Sequence, residues 1–234
     1  RNTGRIIEDF VNFTDLAPTF LEVAEVEDPG PVMQPLSGRS LVDIFVSEDS
    51  GQVTSDRDHV LVGKERHDVG RPRHGGYPIR GISNGDFLFL QNYEEGRWPA
   101  GDPITGYLNC DGSPTKSLIL ELRRNGQQKE LWQWCFGKRP PLELYNLRND
   151  PDCVNNLAAT ERYADVLREL KAKMESELKQ QGDPRMFGKG EVFDRYPYSS
   201  AGSDNFYERY LSGEQGLKAG WVSPSDFEAA PIPK

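Results

Sequence analysis

The stretch from Gly63 to Arg80, which reads GKERHDVGRPRHGGYPIR, concentrates side chains that recognise anions. It holds two of the three histidines and five of the 28 lysine and arginine residues in a chain of 234. Histidine donates to an oxyanion or a sugar hydroxyl near neutral pH, and arginine offers a planar fork that suits sulfate, phosphate or carboxylate. The same composition is typical of a solvated loop, and Arg71 and Arg73 are expected to be charges of that kind.

Five residues of this stretch are candidates for binding a ligand: Glu65, Arg66, His67, His74 and Arg80. The first three follow directly after a predicted strand, and loops at such positions carry function more often than the elements they join. Arg80 alternates with apolar residues in the next predicted strand, so its side chain either faces a pocket or extends along the sheet to solvent. The pattern assigns no catalytic role and no metal-binding role to any residue of the chain.

Hydrophobic periodicity predicts an antiparallel sheet that positions these side chains. Runs rich in β-branched and aromatic residues at 59–65, 77–83 and 86–93 indicate three strands, the last two joined by a tight Asn-Gly turn. A fourth strand is predicted at 142–147. Apolar residues at three- and four-residue spacing then predict an amphipathic helix from 161 to 181, which we expect to cover one face of the sheet.

The sequence divides into three parts around this sheet. Residues 1–50 hold a predicted helix, a break rich in proline and glycine, and a shorter helix or turn. Residues 51–182 hold the sheet and its helix, with an ordered insertion predicted at 94–141 because a structureless connection of that length is uncommon. Residues 183–234 are rich in Pro, Gly, Ser and Tyr and show little periodicity, so we predict an irregular tail on the surface of a larger body.

Composition and cysteine usage narrow the possible functions. The formal net charge of −9 and the isoelectric point near 5.0 argue against an electrostatic nucleic-acid binder. No apolar run approaches the length that crosses a bilayer, so no membrane partner is expected. Cys110, Cys135 and Cys153 have no metal-ligand spacing, and the sequence contains no P-loop, GxSxG, HExxH or dinucleotide fingerprint. The chain is therefore expected to form no metal site of its own.

Three segments resemble sulfatases, in the order in which that family has them. FVNFTDLAPTFLEVA resembles a strand that enters a DLxPTxL helix, LSGRSLVDIF resembles the GxSL segment that follows, and LELYNLRNDPDCVNNLA resembles ELYDLxxDPxExxNLA. The run HDVGRPRHGGYPIRGISNGDFLFLQNY is similar to the heparan N-sulfatase, or sulfamidase, branch. The resemblance covers roughly residues 6–182, and it departs from that branch by a longer loop between His67 and Tyr77 and by a cysteine at position 153.

The resemblance implies an α/β fold of the alkaline-phosphatase-like superfamily, of which this chain is the end of the large domain and a C-terminal α+β subdomain. That family hydrolyses sulfate esters or N-sulfates through a formylglycine nucleophile and calcium, whose motifs are not found in this sequence. The resemblance therefore implies that an N-terminal part of the same protein supplies catalysis and that this chain alone is inactive. It places Glu65, Arg66 and His67 at the rim of a pocket for a sulfated glycosaminoglycan sugar, in a periplasmic, secreted or lysosomal enzyme.

The sequence leaves two other functions open. A fragment or degenerate homologue of this fold would bind sulfated glycans or a partner without turnover. A phosphoesterase of the same superfamily would use a threonine or serine nucleophile and two metals in place of formylglycine and calcium. The residues that decide among these functions would lie upstream of this chain.

Overall fold

A four-stranded antiparallel sheet lies at the centre of the fold. The structure is a computed structural model that describes residues 4–27, 30 and 33–232. The strands of the sheet lie side by side in the order in which they occur along the chain. They are β1 (Val60–Lys64), β2 (Ile79–Ser83), β3 (Phe87–Asn92) and β4 (Leu142–Asn146). These bounds confirm the four predicted strands to within two residues at each end.

Helices precede and follow the sheet along the chain and form part of the insertion and the tail. Within the described residues they are α1 (Leu16–Val23), α2 (Val42–Val46), α3 (Pro114–Arg124), α4 (Lys129–Phe136), α5 (Ala164–Gln180), α6 (Val192–Arg195) and α7 (Phe206–Leu211). The long helix predicted from 161 to 181 is confirmed as α5, which follows a 3-10 turn at Glu161–Tyr163. None of the helices in the described part of the chain combines the length and the apolar character needed to cross a membrane.

The main apolar core lies between the sheet and α5. Alternate residues of a strand point to the same face, so one face of the sheet presents a row of apolar side chains to the helix. The buried side chains of this core are Ile82, Phe89, Leu144, Leu170, Met174 and Leu178. Burial of a side chain of this size contributes about 1.5–3 kcal/mol, so the contact with α5 holds the sheet in one register. The predicted architecture, a small antiparallel sheet with a long packed helix, is confirmed.

The two N-terminal segments that resemble sulfatases pack against each other. The Asp15 carboxylate accepts a hydrogen bond from the Arg39 backbone N–H at 2.9 Å, and the Thr19 hydroxyl accepts one from the Leu41 N–H at 2.9 Å. Gly38 approaches the facing segment so closely that a Cβ atom there would lie 2.0 Å from a backbone carbonyl oxygen. Contact between the two segments therefore explains why they need an aspartate, a threonine and a glycine at these positions.

A buried arginine holds this N-terminal unit together. Arg57 is 2% exposed, its Nη1 donates to the Asp15 carboxylate at 3.0 Å, and its Nη2 donates to the Ser40 carbonyl at 2.7 Å. Burial opposes the ionisation of Asp15, but the N–H groups of Arg39 and Asn12 and the Arg57 guanidinium outweigh it and lower the Asp15 pKa from its ordinary value of 3.8. The Asp15 carboxylate is therefore ionised against Arg57 at neutral pH.

Asparagine side chains bind the two outer edges of the sheet. Asn156 accepts a hydrogen bond from the Leu144 N–H at 3.0 Å and donates to the Leu142 carbonyl at 3.1 Å, both on β4. On the opposite edge, Asn12 donates to the Leu61 carbonyl of β1 at 3.2 Å. Asn156, which belongs to the third sulfatase-like segment, thus has a structural role, because it satisfies backbone groups that an edge strand leaves unpaired.

We expect the substitution Asn156→Ala to lower the free energy of unfolding by about 1–3 kcal/mol, because it removes the side-chain partner of a backbone N–H and a carbonyl of β4. Urea denaturation followed by tryptophan fluorescence measures the change. Asn155→Ala is the matched control, since the Asn155 side chain is exposed and has no hydrogen-bond partner among the described residues. Equal losses of stability in the two variants would contradict this role for Asn156.

A buried lysine joins the insertion to the tail. Lys116 of α3 is 2% exposed, and its ammonium group donates to the carbonyl oxygens of Gly106 at 2.9 Å and Cys110 at 2.6 Å. The same nitrogen lies 3.3 Å from the carboxylate of Asp226, which is 0% exposed and belongs to the tail. The tail is thereby fixed to the protein near its C-terminal end.

A second apolar cluster joins the loop after β1 to the insertion and the tail. Val69 comes from the loop, Leu108 from the insertion, and Phe206 and Ala219 from the tail. All four side chains are buried. The segment predicted as an irregular tail therefore contains the short helices α6 and α7 and packs over the stretch that holds the candidate binding residues.

Candidate functional site

The end of β1 places Glu65 in a partly buried network of charges. The Glu65 carboxylate accepts hydrogen bonds from Arg80 Nη2 at 2.6 Å and from Arg185 Nε at 2.6 Å. Arg80 in turn donates through Nε to Asp183, which lies in the turn after α5. Two carboxylates and two guanidinium groups therefore alternate where β1 ends, β2 begins and α5 ends.

Local sequence features make room for this network. Gly63 is the partner of Arg80 in the register of β1 and β2, and a Cβ atom at Gly63 would lie 3.2 Å from Arg80 Cδ. Asp183 begins the 3-10 turn Pro184–Phe187, and its carboxylate accepts a hydrogen bond from the Arg185 N–H at 3.0 Å. Burial opposes both charges, but their hydrogen bond and ion pairing outweigh it, so the Asp183 pKa is lowered and the Arg80 pKa is raised.

Arg66 and His74 meet at the ring of Tyr198 in the tail. The Arg66 guanidinium carbon lies 5.7 Å from the centroid of that ring, and the His74 ring stacks on it at 5.6 Å with an interplanar angle of 6°. Arg66 also donates to the Tyr196 carbonyl at 2.6 Å, and His74 Nε2 lies 2.7 Å from a carboxylate oxygen of Asp204. The tail therefore contacts both Arg66 and His74 and fixes the direction of their side chains.

His67 is the most exposed of the predicted binding residues. Its imidazole has no hydrogen bond and no ion pair with any side chain in the described part of the chain. The neighbouring Asp68 is partly buried, and burial raises its pKa above the ordinary value of 3.8. The imidazole of His67 is therefore free to donate a hydrogen bond to a ligand.

The structure divides the five predicted binding residues into three groups. Glu65 and Arg80 belong to the charge network, Arg66 and His74 share an aromatic ring, and His67 stands apart. Contact of these residues with a substrate stays a prediction. The hydrogen bonds of Glu65 and Arg80 give those two residues a structural role at the end of β1.

Residues of the tail complete these groups, and sequence patterns do not predict them. Each of the residues Asp183, Arg185 and Tyr198 lies more than a hundred positions after the residue of the stretch 63–80 that it contacts. The sequence Asp-Pro-Arg directly after a predicted helix indicates a capped turn, which is the one local signal for this contact. The pairing itself depends on how the tail folds back.

The two arginines expected to be solvated differ in exposure. Arg73 is exposed, as expected, whereas Arg71 is 2% exposed and the expectation for it is wrong. The reason is that the insertion covers Arg71 and accepts two hydrogen bonds from its guanidinium group. The tyrosine of the YPIR run, Tyr77, is also fully buried, and burial raises its pKa to about 12.

The residues that the structure describes do not fit a formylglycine or calcium site. In the described ranges, no three His, Cys, Asp or Glu side chains come together closely enough to hold a metal ion. Cys110, Cys135 and Cys153 are free thiols, and none is followed by the proline and arginine of the formylglycine motif. These residues therefore supply neither the nucleophile nor the metal of sulfatase chemistry.

The chain is similar in sequence to a sulfatase over most of its length. It is 25% identical over 190 residues to an ulvan-active sulfatase of Formosa agariphila, and the alignment covers 79% of this chain and 28% of that protein. No protein-family model matches the chain. The chain therefore spans less than a third of the length of the curated relative that it matches.

Two solved structures are partly similar to the chain. One was solved in complex with its substrate D-glucosamine-2-N,6-O-disulfate, with a TM-score of 0.44 and 20% identity over 72% of this chain and 24% of that chain. Another is a 2-O glycosaminoglycan sulfatase, with a TM-score of 0.42 and 14% identity over 78% of this chain and 28% of that chain.

Proposed function

We propose that this chain is the C-terminal part of a sulfatase of the alkaline-phosphatase-like fold that acts on sulfated saccharides. The observation that carries the proposal is the similarity to the ulvan-active sulfatase over 79% of this chain. The nucleophile and the calcium ion of that family would belong to a part of the protein that precedes these residues. Removal of N-sulfate from glycosaminoglycan sugars is the finer proposal, and the sulfamidase-like run that begins at His67 supports it.

Exposed apolar side chains support the proposal that these residues are one part of a larger protein. Most of the large apolar side chains that are exposed lie between residues 6 and 46, including Ile6, Val11, Phe13, Phe20, Val23, Phe45 and Val46. Exposed apolar side chains that form a continuous patch are typical of a surface that another part of the protein covers. We propose that the preceding part of the same polypeptide covers them, and that the chain reaches the active site as a subdomain of one enzyme.

The residues at the end of β1 have complementary roles in this proposal. His67 donates a hydrogen bond to the sulfated sugar, because its imidazole is exposed and unpaired in the described residues. Arg66 offers its guanidinium group to an anionic substituent while the ring of Tyr198 supports it. Glu65 and Arg80 hold the end of the strand from which the first two residues extend.

We expect His67→Ala, introduced into the complete enzyme, to lower kcat/KM for a sulfated saccharide about 10- to 100-fold, because a hydrogen bond to a charged group is worth about 1.5–3 kcal/mol. Release of inorganic sulfate measures the rate. His59→Gln is the matched control, since the His59 ring lies at the other end of β1, 2.6 Å from Asp58 and 2.7 Å from Glu177. A His67→Ala enzyme with full activity would remove His67 from the site.

Assays of sulfate release, phosphate release and saccharide binding on the complete protein separate the alternative functions. Release of phosphate from phosphate monoesters without release of sulfate would favour a phosphoesterase. Binding of sulfated saccharides without release of sulfate would favour a non-catalytic module. A measurement of N-sulfate against O-sulfate release tests the finer proposal.

A further inference from the structure

A cavity of about 510 Å³ lies between the loop after β1, the start of the insertion and α6 of the tail. Its size is in the range of small-ligand sites. Arginine predominates among its charged residues, with Arg71, Arg73, Arg97 and Arg195 all lining it. We call it the Arg71 cavity. The wall formed by α6 lies beyond the sulfatase-like segments of the sequence.

Arg71 is a buried cation that forms no ion pair with a carboxylate among the described residues. It is 2% exposed, and its guanidinium group donates to the carbonyl oxygens of Trp98 at 2.8 Å and Pro99 at 3.0 Å. Its Nη1 atom is buried and has no hydrogen-bond partner in the described ranges. Burial, followed by the positive charge of Arg97, lowers the Arg71 pKa from 12.5 to about 10. A buried guanidinium is costly without a counter-charge, so negative charge beside Arg71 is favoured.

Two acidic residues of the cavity are already paired. Asp194 pairs with Arg97 at 3.1 Å and accepts a hydrogen bond from the Gly76 N–H at 3.2 Å. Glu191 lies 3.8 Å from Arg195 at the exposed end of α6. These carboxylates therefore pair with Arg97 and Arg195, and in the described part of the chain Arg71 is left with only the longer-range attraction of Asp102 and Asp68.

Arg73 adds a second positive charge that no described carboxylate matches. Its backbone is held with a φ of 54° by a hydrogen bond from its N–H to the Glu208 carboxylate at 2.8 Å, and its side chain is exposed at the cavity. The remaining acidic residue, Asp102, accepts a hydrogen bond from the Ile104 N–H at 3.0 Å, and burial raises its pKa. The cavity thus presents an excess of positive charge.

We propose that the Arg71 cavity binds an oxyanion, the sulfate or carboxylate group of an acidic sugar unit, through Arg71 and Arg73. Arginine forks suit both groups, because each presents paired oxygens to two N–H donors. Trp98 lines the same cavity, and a sugar bound there would contact its indole ring beside Lys138, whose ammonium nitrogen lies 4.9 Å from the ring centroid. The assignment of a sugar as the ligand rests on the proposed function. The assignment of an oxyanion rests on the charges of the cavity alone.

Calorimetric titration of the complete protein at constant ionic strength tests this site. The probes are N-acetylglucosamine 6-sulfate and glucuronate, each compared with its neutral parent, N-acetylglucosamine or glucose. We expect a charged probe to bind at least tenfold more tightly than its parent. Arg73→Glu, at an exposed position, is expected to weaken that binding at least tenfold without a change in melting temperature, and Arg71→Met to weaken it as strongly. Arg148→Glu is the control, since Arg148 is exposed and pairs with Asp86 on the surface.

The outcomes distinguish the ligand and the two proposals. Binding of the sulfate probe alone identifies the ligand group as a sulfate ester, and binding of glucuronate alone identifies it as a carboxylate. Either outcome supports an oxyanion site. Failure of both probes to bind, or binding that Arg73→Glu and Arg71→Met leave unchanged, overturns the proposal. If the protein binds a probe through Arg73 but releases no sulfate, the oxyanion site stands and the proposed function is wrong. If the protein releases sulfate but binds no probe through Arg73, the proposed function stands and the oxyanion site is wrong.

Discussion

Replacing Lys116 with methionine is expected to lower the free energy of unfolding by about 3–5 kcal/mol, because it leaves a buried carboxylate without its counter-charge. Asp226 is 0% exposed and lies 3.3 Å from the ammonium nitrogen that the substitution removes. The carbonyl oxygens of Gly106 and Cys110 lose a donor at the same time. Methionine has a similar length and no hydrogen-bond donor, so the loss of stability measures the contribution of the polar contacts of Lys116. Urea denaturation with an unchanged m-value is the measurement.

Two further variants make the test specific to this pair. Lys129→Met changes an exposed lysine in the same insertion and is expected to cost less than about 0.5 kcal/mol. Asp226→Asn, combined with Lys116→Met, is expected to cost less than the sum of the two single changes, because the two side chains contact each other. Additive losses would contradict a direct interaction between Lys116 and Asp226.

Replacing Arg57 with methionine is expected to cost about 3–5 kcal/mol of stability for the same physical reason. Arg57 is 2% exposed and pairs with Asp15 at 3.0 Å, and it also donates to the Ser40 carbonyl. Arg39→Met is the control, since the Arg39 side chain is 47% exposed and its pair with Asp56 lies at the surface. Exposed pairs of this kind contribute about 0–1 kcal/mol. Comparable losses in the two variants would contradict a special role for Arg57.

The pH dependence of the Arg57→Met variant adds a second measurement. The Asp15 pKa is lowered in the folded protein, so its contribution to stability is fully present above its ordinary value of 3.8 and is lost as the pH falls through the lower folded value. The stability difference between the unchanged protein and Arg57→Met is therefore expected to narrow below a pH of about 4. A difference that stays constant through that range would show that the Asp15 charge is not involved.

Local periodicity was sufficient to predict the sheet and α5. Alternating or continuous apolar runs mark the four strands, and the spacing of apolar residues marks a helix whose face is buried as expected. The helix α4 in the insertion was not predicted, because the run from Leu131 to Phe136 is too short to show a helical period. Length decides such cases, and eight residues give little periodicity to measure.

The candidate site was less predictable because distant residues complete it. Residue types in the stretch from Gly63 to Arg80 indicate anion recognition, yet whether a given charge is free depends on the tail and the insertion. Arg71 is buried by the insertion, and Glu65 is paired by Arg185, 120 positions later. His67 kept the solvent exposure that a loop residue is expected to have. Sequence therefore indicates the chemistry of the stretch, and the tertiary fold decides which side chains are available.

The two asparagines at the edges of the sheet bear on how the protein behaves at high concentration. Outer strands are prone to pair with the strands of other molecules, which leads to aggregation. Asn156 occupies backbone groups of β4, and Asn12 occupies one of β1. Each edge is therefore partly blocked by a side chain from its own chain, and a small sheet with only one covering helix is protected from edge-to-edge association.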